Sequence, residues 1–221
     1  RFISAADWNH DGLMDLLARS ERLELHINRG GTPPRFEDAL VLDYDSETQV
    51  NHPVHHATTI SSKASHILIT GHYDFEDHWP MNQDQQSIEI GFWQGYDASG
   101  KWKGVENLVN LRWWQSLSEE KSILVKPMGY LRAEHTLIRG LNGVSPISVD
   151  VDRDGDKDLV IANFIGDFSW AQNTGSNINP RFRDSVQLQD LSGHQFRSPQ
   201  CFVQGQGIDW NNDGWEDLVF G

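Results

Sequence analysis

The sequence predicts an all-β protein built from repeated units of four antiparallel strands, and three observations carry that reading. The first is a nonapeptide that occurs three times: Asp7-Trp8-Asn9-His10-Asp11-Gly12-Leu13-Met14-Asp15, Asp150-Val151-Asp152-Arg153-Asp154-Gly155-Asp156-Lys157-Asp158 and Asp209-Trp210-Asn211-Asn212-Asp213-Gly214-Trp215-Glu216-Asp217. The second is what flanks it. Each copy runs into a short apolar stretch (Leu16-Leu17-Ala18, Leu159-Val160-Ile161-Ala162, Leu218-Val219-Phe220), and Ile3–Ala6 and Ile147–Val149 precede the first two. Runs this short and partly β-branched suit strands better than helices. The third is that Pro34-Arg35-Phe36-Glu37-Asp38 and Pro180-Arg181-Phe182-Arg183-Asp184 stand at equivalent places, so the similarity covers whole units as well as loops.

Within each nonapeptide, positions 1, 3, 5 and 9 carry side-chain oxygens. They are Asp7, Asn9, Asp11 and Asp15; Asp150, Asp152, Asp154 and Asp158; and Asp209, Asn211, Asp213 and Asp217. Position 6 is Gly, as a sharp turn that converges oxygens on a hard cation such as Ca²⁺ requires. Position 7 (Leu13, Asp156, Trp215) is where such a loop offers a backbone carbonyl. An EF-hand is excluded, because it needs Glu at position 12 and a helix on each side. Here position 12 is Ala18, Ile161 and Phe220, inside the strand-like runs. Each loop therefore joins two strands, and the position-9 Asp is expected to supply the final carboxylate.

These three nonapeptides resemble the FG-GAP/VCBS repeat family, the calcium-loop blades of integrin-α-type β-propellers. The resemblance implies blades of four antiparallel strands, about three and a half of them here, forming part of a propeller that in relatives commonly has seven. Residues 1–50 are expected to be a blade with its calcium loop: strands at Phe2–Asp7, Leu16–Arg19, Leu23–Asn28 and Phe36–Leu42, with a Gly- and Pro-rich turn at Gly30–Pro34. Residues 52–126 read as a degenerate blade. There His66–Gly71 supplies the second strand, Ser61–Ser65 replaces the acidic loop, Ile88–Trp93 alternates as a third strand and Gly100-Lys101-Trp102 closes a turn. Residues 115–145 fit the repeat poorly and read as an irregular insertion or a partial extra strand. Residues 146–195 form the next calcium-loop blade, and residues 200–221 an incomplete one. An open sheet edge there is a hazard that proteins manage. The expectation is that the remaining blades belong to a longer chain, the alternative being a ring of four whose last blade is completed by another segment.

Composition narrows the function classes. The net charge of −14 is concentrated in the three loops, with the rest of the chain near balance, and bound cations would offset it. No basic patch exists to meet phosphates, so nucleic acid is not an expected partner. No apolar run nears the roughly 20 residues of a membrane-spanning helix. Cys201 is alone, so no intrachain disulfide forms. Loops of this type fill where calcium is abundant, which points outside the cytosol: an extracellular, periplasmic or cell-surface setting.

A second constellation lies in the degenerate blade. His72, Asp74, Glu76 and His78 are spaced two apart, which in an extended chain places them on one face. With Trp79 beside them and His135 as a further candidate, they form a possible second site for zinc or another divalent metal, or for substrate. The bland alternative is a polar loop with solvated histidines. Of the nine tryptophans, Trp8, Trp210 and Trp215 belong to the repeat and are expected to pack between blades. Three readings of function follow. The first is a calcium-stabilised binding module for glycan or another extracellular ligand. The second, which the resemblance implies loosely, is the propeller of a polysaccharide lyase or sugar dehydratase. The third is an adhesion or scaffold segment.

Overall fold

A computed structural model of the chain describes residues 3–19, 23–44, 54–62, 65–73, 108–116, 123–136, 138–141, 144–163, 165–200 and 203–221. These residues hold strands and turns and no helix. The first unit is β1 (Ile3–Ala6), β2 (Asp15–Arg19), β3 (Leu23–His26) and β4 (Leu40–Tyr44), paired antiparallel in that order. The second comprises β5 (Val54–Ser62), β6 (Ser65–Tyr73), β7 (Leu108–Ser116) and β8 (Ile123–Tyr130), again antiparallel, with β9 (Arg139–Leu141) added to β7. The third is β10 (Val144–Val149), β11 (Asp158–Asn163), β12 (Phe168–Ala171) and β13 (Val186–Gln187). A final hairpin joins β14 (Gly205–Ile208) to β15 (Asp217–Phe220).

The period-2 pattern explains which faces are buried. In β2 and β3, Leu17, Leu23 and Leu25 point inward while their neighbours are partly exposed. The strands β10 and β11 are buried on both faces up to Ala162, because their sheet is covered on both sides. Leu159 and Ile161 join Ile60, Ile67, Ile69 and Phe182 in one cluster, whereas Val160 and Ala162 join Ile147, Val149 and Phe168 in another. The third unit is thus sandwiched between the second unit and the final hairpin, whose Leu218 and Phe220 pack against the latter cluster. Pro146 is tolerated in β10 because β10 is an edge strand of its own sheet.

Two features differ from the sequence reading. The fourth strand of the first unit begins at Leu40, not Phe36. Phe36 instead bridges Asn28, as Phe182 bridges Asn173 while also bridging Ala133. The equivalence of the two Pro-Arg-Phe segments holds, but they brace a turn and the fourth strand of each unit follows them. The first two units are also not separate sheets. Strand β4 pairs parallel with β8, joining them into one nine-stranded sheet. The segments Ile88–Trp93 and Gly100–Trp102 lie outside the described residues, and within those residues β7 is the neighbour of β6. Across units, the first strands pack on one another: β1 on β5, β5 on β10, β10 on β14, and β14 on β1. A hydrogen bond of 3.2 Å from the Ala5 N–H to Gln206 Oε1 ties the last pair.

Candidate metal centre

The three nonapeptides adopt one backbone. Position 6 is left-handed in each (Gly12 at φ 86°, Gly155 at 92°, Gly214 at 86°), and so is position 4 (His10 at 56°, Arg153 at 62°, Asn212 at 60°). Gly suits position 6, while His and Arg at position 4 hold a conformation that side chains with a Cβ rarely adopt. The loops are wound by their own carboxylates. Asp7 accepts the N–H groups of Asp11 at 3.1 Å and Gly12 at 3.0 Å, and Asp209 accepts those of Asp213 at 3.0 Å and Gly214 at 2.9 Å. Asp150 accepts that of Gly155 at 3.1 Å. The position-5 carboxylate takes the N–H of position 7 in every copy: Asp11 from Leu13, Asp154 from Asp156, and Asp213 from Trp215. That last bond, ahead of the Asn211 side chain, holds the Asp213 carboxyl below the usual carboxylate range.

In the middle loop, carboxylate oxygens of Asp150, Asp152 and Asp154 lie within 4.8 Å of one another. Like charges this close repel unless a cation gathers them. The Asp150 carboxylate has one oxygen, Oδ1, that is buried and has no hydrogen-bond partner. A buried carboxylate oxygen left unpaired is costly, and a coordinated ion would satisfy it. The donor set is all oxygen, which suits a hard divalent cation such as calcium and not a soft transition metal. The residues present therefore fit the ion that the loop spacing implies.

The position-9 carboxylates accept backbone N–H groups in all three loops. Asp15 and Asp158 are wholly buried and clamp backbone. Asp15 accepts the N–H of Trp8 at 2.8 Å and of Asn28 at 2.7 Å, and Asp158 accepts those of Val151 at 3.2 Å and Asn173 at 2.7 Å. Burial pushes the Asp158 carboxyl above its usual range despite those donors. Each of these carboxylates staples its loop to the end of the third strand. Asn28 and Asn173 complete the staple. Their side chains donate to the position-8 carbonyls of Met14 and Lys157, both at 3.1 Å, and accept the N–H groups of Gly30 and Gly175. The recurring Asn28-Arg29-Gly30 and Asn173-Thr174-Gly175 was the available signal for these residues, and loop spacing alone does not point to them.

The middle and last loops also contact each other. The Lys157 ammonium pairs with Glu216, whose second oxygen accepts the Asp150 N–H at 2.8 Å. The Arg153 guanidinium lies 4.5 Å from the Trp215 ring centroid, a cation–π contact. The tryptophans divide. Trp8 is buried as expected, but Trp210 is 73% exposed and Trp215 47%. Among the described residues, the packing expected for Trp210 and Trp215 is not made.

Of the second constellation, Asp74, Glu76, His78 and Trp79 lie outside the described residues. The backbone of His72 is in β6, opposite Asn110. His135 is exposed and bonds Asp184 through Nδ1 at 2.7 Å. Asp184 also accepts the N–H groups of His135 and Thr136. With the His135 N–H as the main cause, its carboxyl is held below the usual range. Among the described residues, His135 is a turn anchored to the third unit. Comparison with protein-family models, curated proteins and solved structures gives no match to this chain.

Proposed function

We propose that the chain is a calcium-stabilised β-propeller binding module of the FG-GAP/VCBS kind, which works outside the cytosol and recognises carbohydrate or another extracellular ligand. The observation that carries the reading is the convergence of Asp150, Asp152 and Asp154, together with a buried, unpartnered oxygen on Asp150. Asp150, Asp152 and Asp154 would hold one ion. Asp7, Asn9 and Asp11, and likewise Asp209, Asn211 and Asp213, offer equivalent oxygens in loops of the same backbone. A bound divalent ion supplies charge that offsets carboxylate repulsion, so its binding free energy becomes folding free energy. The side chains then fix the strand-to-strand turns that present the rim.

The propeller part of the proposal draws support from the packing of β1, β5, β10 and β14, each on the next and the last on the first. Four first strands arranged in a cycle suit blades set around an axis. The ligand part draws on the loops' exposed aromatic faces, Trp210 and Trp215, among Asn and Asp side chains. Such faces stack on sugar rings while neighbouring polar groups meet hydroxyls. A glycan array probed with the labelled chain tests this reading. Binding in calcium that is lost in EGTA and weakened by Trp215→Ala is expected. An array silent in both conditions would remove carbohydrate as the ligand.

A further inference from the structure

The first and last loops form an internal control. Their side-chain donors are the same: Asp, Asn and Asp at positions 1, 3 and 5. Their internal bonds also match. Asp7 and Asp209 each accept the N–H groups of positions 5 and 6, and the Asn9 and Asn211 amides donate to Asp11 and Asp213 at 2.8 and 2.9 Å. Two sites built alike attract a cation alike unless the charges around them differ. Here they differ through one guanidinium.

Arg153 stands at position 4 of the middle loop, where the other copies have His10 and Asn212. Its side chain leaves its own loop and lies on the last one. The guanidinium carbon is 4.5 Å from the Trp215 ring centroid, and Nη2 is 2.9 Å from where a Cβ on Gly214 would stand. The charge therefore rests against positions 6 and 7, next to Asp213. Behind the Trp215 N–H and the Asn211 amide, it also helps to hold the Asp213 carboxyl down. A second tie fixes the two loops to each other, since Glu216 accepts the Asp150 N–H at 2.8 Å and pairs with Lys157. The first loop is placed differently. Arg29, whose charge reaches Asp11, is paired with Glu37 at 2.8 Å, and that carboxylate offsets it.

We propose that Arg153 is a resident counter-ion of the last loop, which therefore binds a divalent cation more weakly than the first loop and holds its turn better when the cation is withdrawn. The inference rests on the calcium reading of the loops and adds to it an order of filling. The middle loop, with three carboxylates, fills first, because charge count sets affinity at oxygen sites. The first loop follows, and the last loop fills last. A unit positive charge a few ångströms from a divalent ion opposes its binding on the order of tenfold at low ionic strength, and salt screens the effect. A guanidinium stays charged at every working pH, so the penalty does not titrate away.

The test is calorimetric titration of the whole, chelator-treated chain with calcium in low-salt buffer. Asp11→Ala and Asp213→Ala mark the first and last loops by the ion each variant loses. The weakest ion is expected to be the one missing from Asp213→Ala. Arg153→Asn removes the charge and places there the residue that the last loop already holds in the same left-handed conformation, Asn212. In that variant the weakest Kd should tighten about tenfold, and the change should vanish in the Asp213→Ala background. Melting curves in calcium check that each variant folds. Two measurements stand beside the variants. In the unaltered chain, raising salt should narrow the gap between the first and last loops. In EGTA, the Gly214 and Trp215 amides should exchange faster in Arg153→Asn than in the unaltered chain. The proposal is overturned if the last loop fills before the first, if its Kd ignores Arg153→Asn, if the tightening persists in Asp213→Ala, or if salt widens the gap. Calcium uptake without an Arg153 effect contradicts this inference alone, whereas no uptake in any variant contradicts the metal proposal and this inference with it.

Discussion

The middle loop and its two neighbours share a backbone but handle charge differently. In the first and last loops position 3 is Asn, and its amide donates to the position-5 carboxylate: Asn9 to Asp11 at 2.8 Å and Asn211 to Asp213 at 2.9 Å. These loops neutralise part of their own repulsion. The middle loop has Asp152 at that place, so three carboxylates converge and Asp150 keeps a buried oxygen without a donor. Its help comes from further away: Gln172 donates to Asp152 at 2.6 Å, and Lys157 and Glu216 bridge to the last loop. The difference teaches that one turn geometry tolerates several charge states, and under the calcium proposal the most acidic copy is the one expected to depend most on a cation.

The largest effect of a single substitution is expected at the buried staple. Asp158→Ala leaves the Val151 and Asn173 N–H groups unpaired, at a cost of about 2–4 kcal/mol measured by denaturant unfolding in calcium. Asp158 also gives the chelated protein a pH dependence. Its folded value lies above the ordinary 3.8, so its contribution to stability is full below that pH and is lost as pH rises through the folded value. Asp158→Asn should flatten that slope, and an unchanged profile would refute the assignment.

A smaller effect sharpens the comparison between loops. Asp152→Asn converts the middle loop to the neighbours' chemistry, so it should stabilise the protein in EGTA by about 1 kcal/mol while weakening calcium binding. The gap between melting temperatures with and without calcium should narrow. A gap that widens would mean the Asp152 charge is not what makes this loop ion-dependent.

The smallest effect is at the exposed turn. The Asp184 carboxyl is held below its ordinary range, chiefly by the His135 N–H, so its stabilisation is present above pH 3.8 and is lost as pH falls through the folded value. Asp184→Asn should remove a slight acid-side loss of stability, read from thermal melts between acidic and neutral pH.

Much of this was legible locally. Gly at position 6 and oxygens at positions 1, 3 and 5 shape a loop through bonds spanning two to five residues, so nine letters suffice. The strand positions beside Leu16-Leu17 and Leu159–Ala162 followed from their short apolar runs. What the sequence hid was long-range. The parallel pairing of β4 with β8 joins residues about 80 positions apart (Leu42 with Ile123), and no periodicity encodes it. The role of Asn28 and Asn173 was visible only as a recurring Asn-x-Gly, which reads as an ordinary turn until its partner Asp is known. Trp210 follows the pattern of Trp8 in sequence yet differs in exposure, because burial depends on which strands lie alongside.

Calcium titration of chelator-treated chain by calorimetry, with melting curves before and after, tests the central proposal most directly. Saturable binding that raises the melting temperature is expected, with one ion fewer in Asp154→Ala; at a hundredfold excess over Kd each site stabilises by about 2.7 kcal/mol. A chain that takes up no calcium, or melts at the same temperature with and without it, would contradict the account.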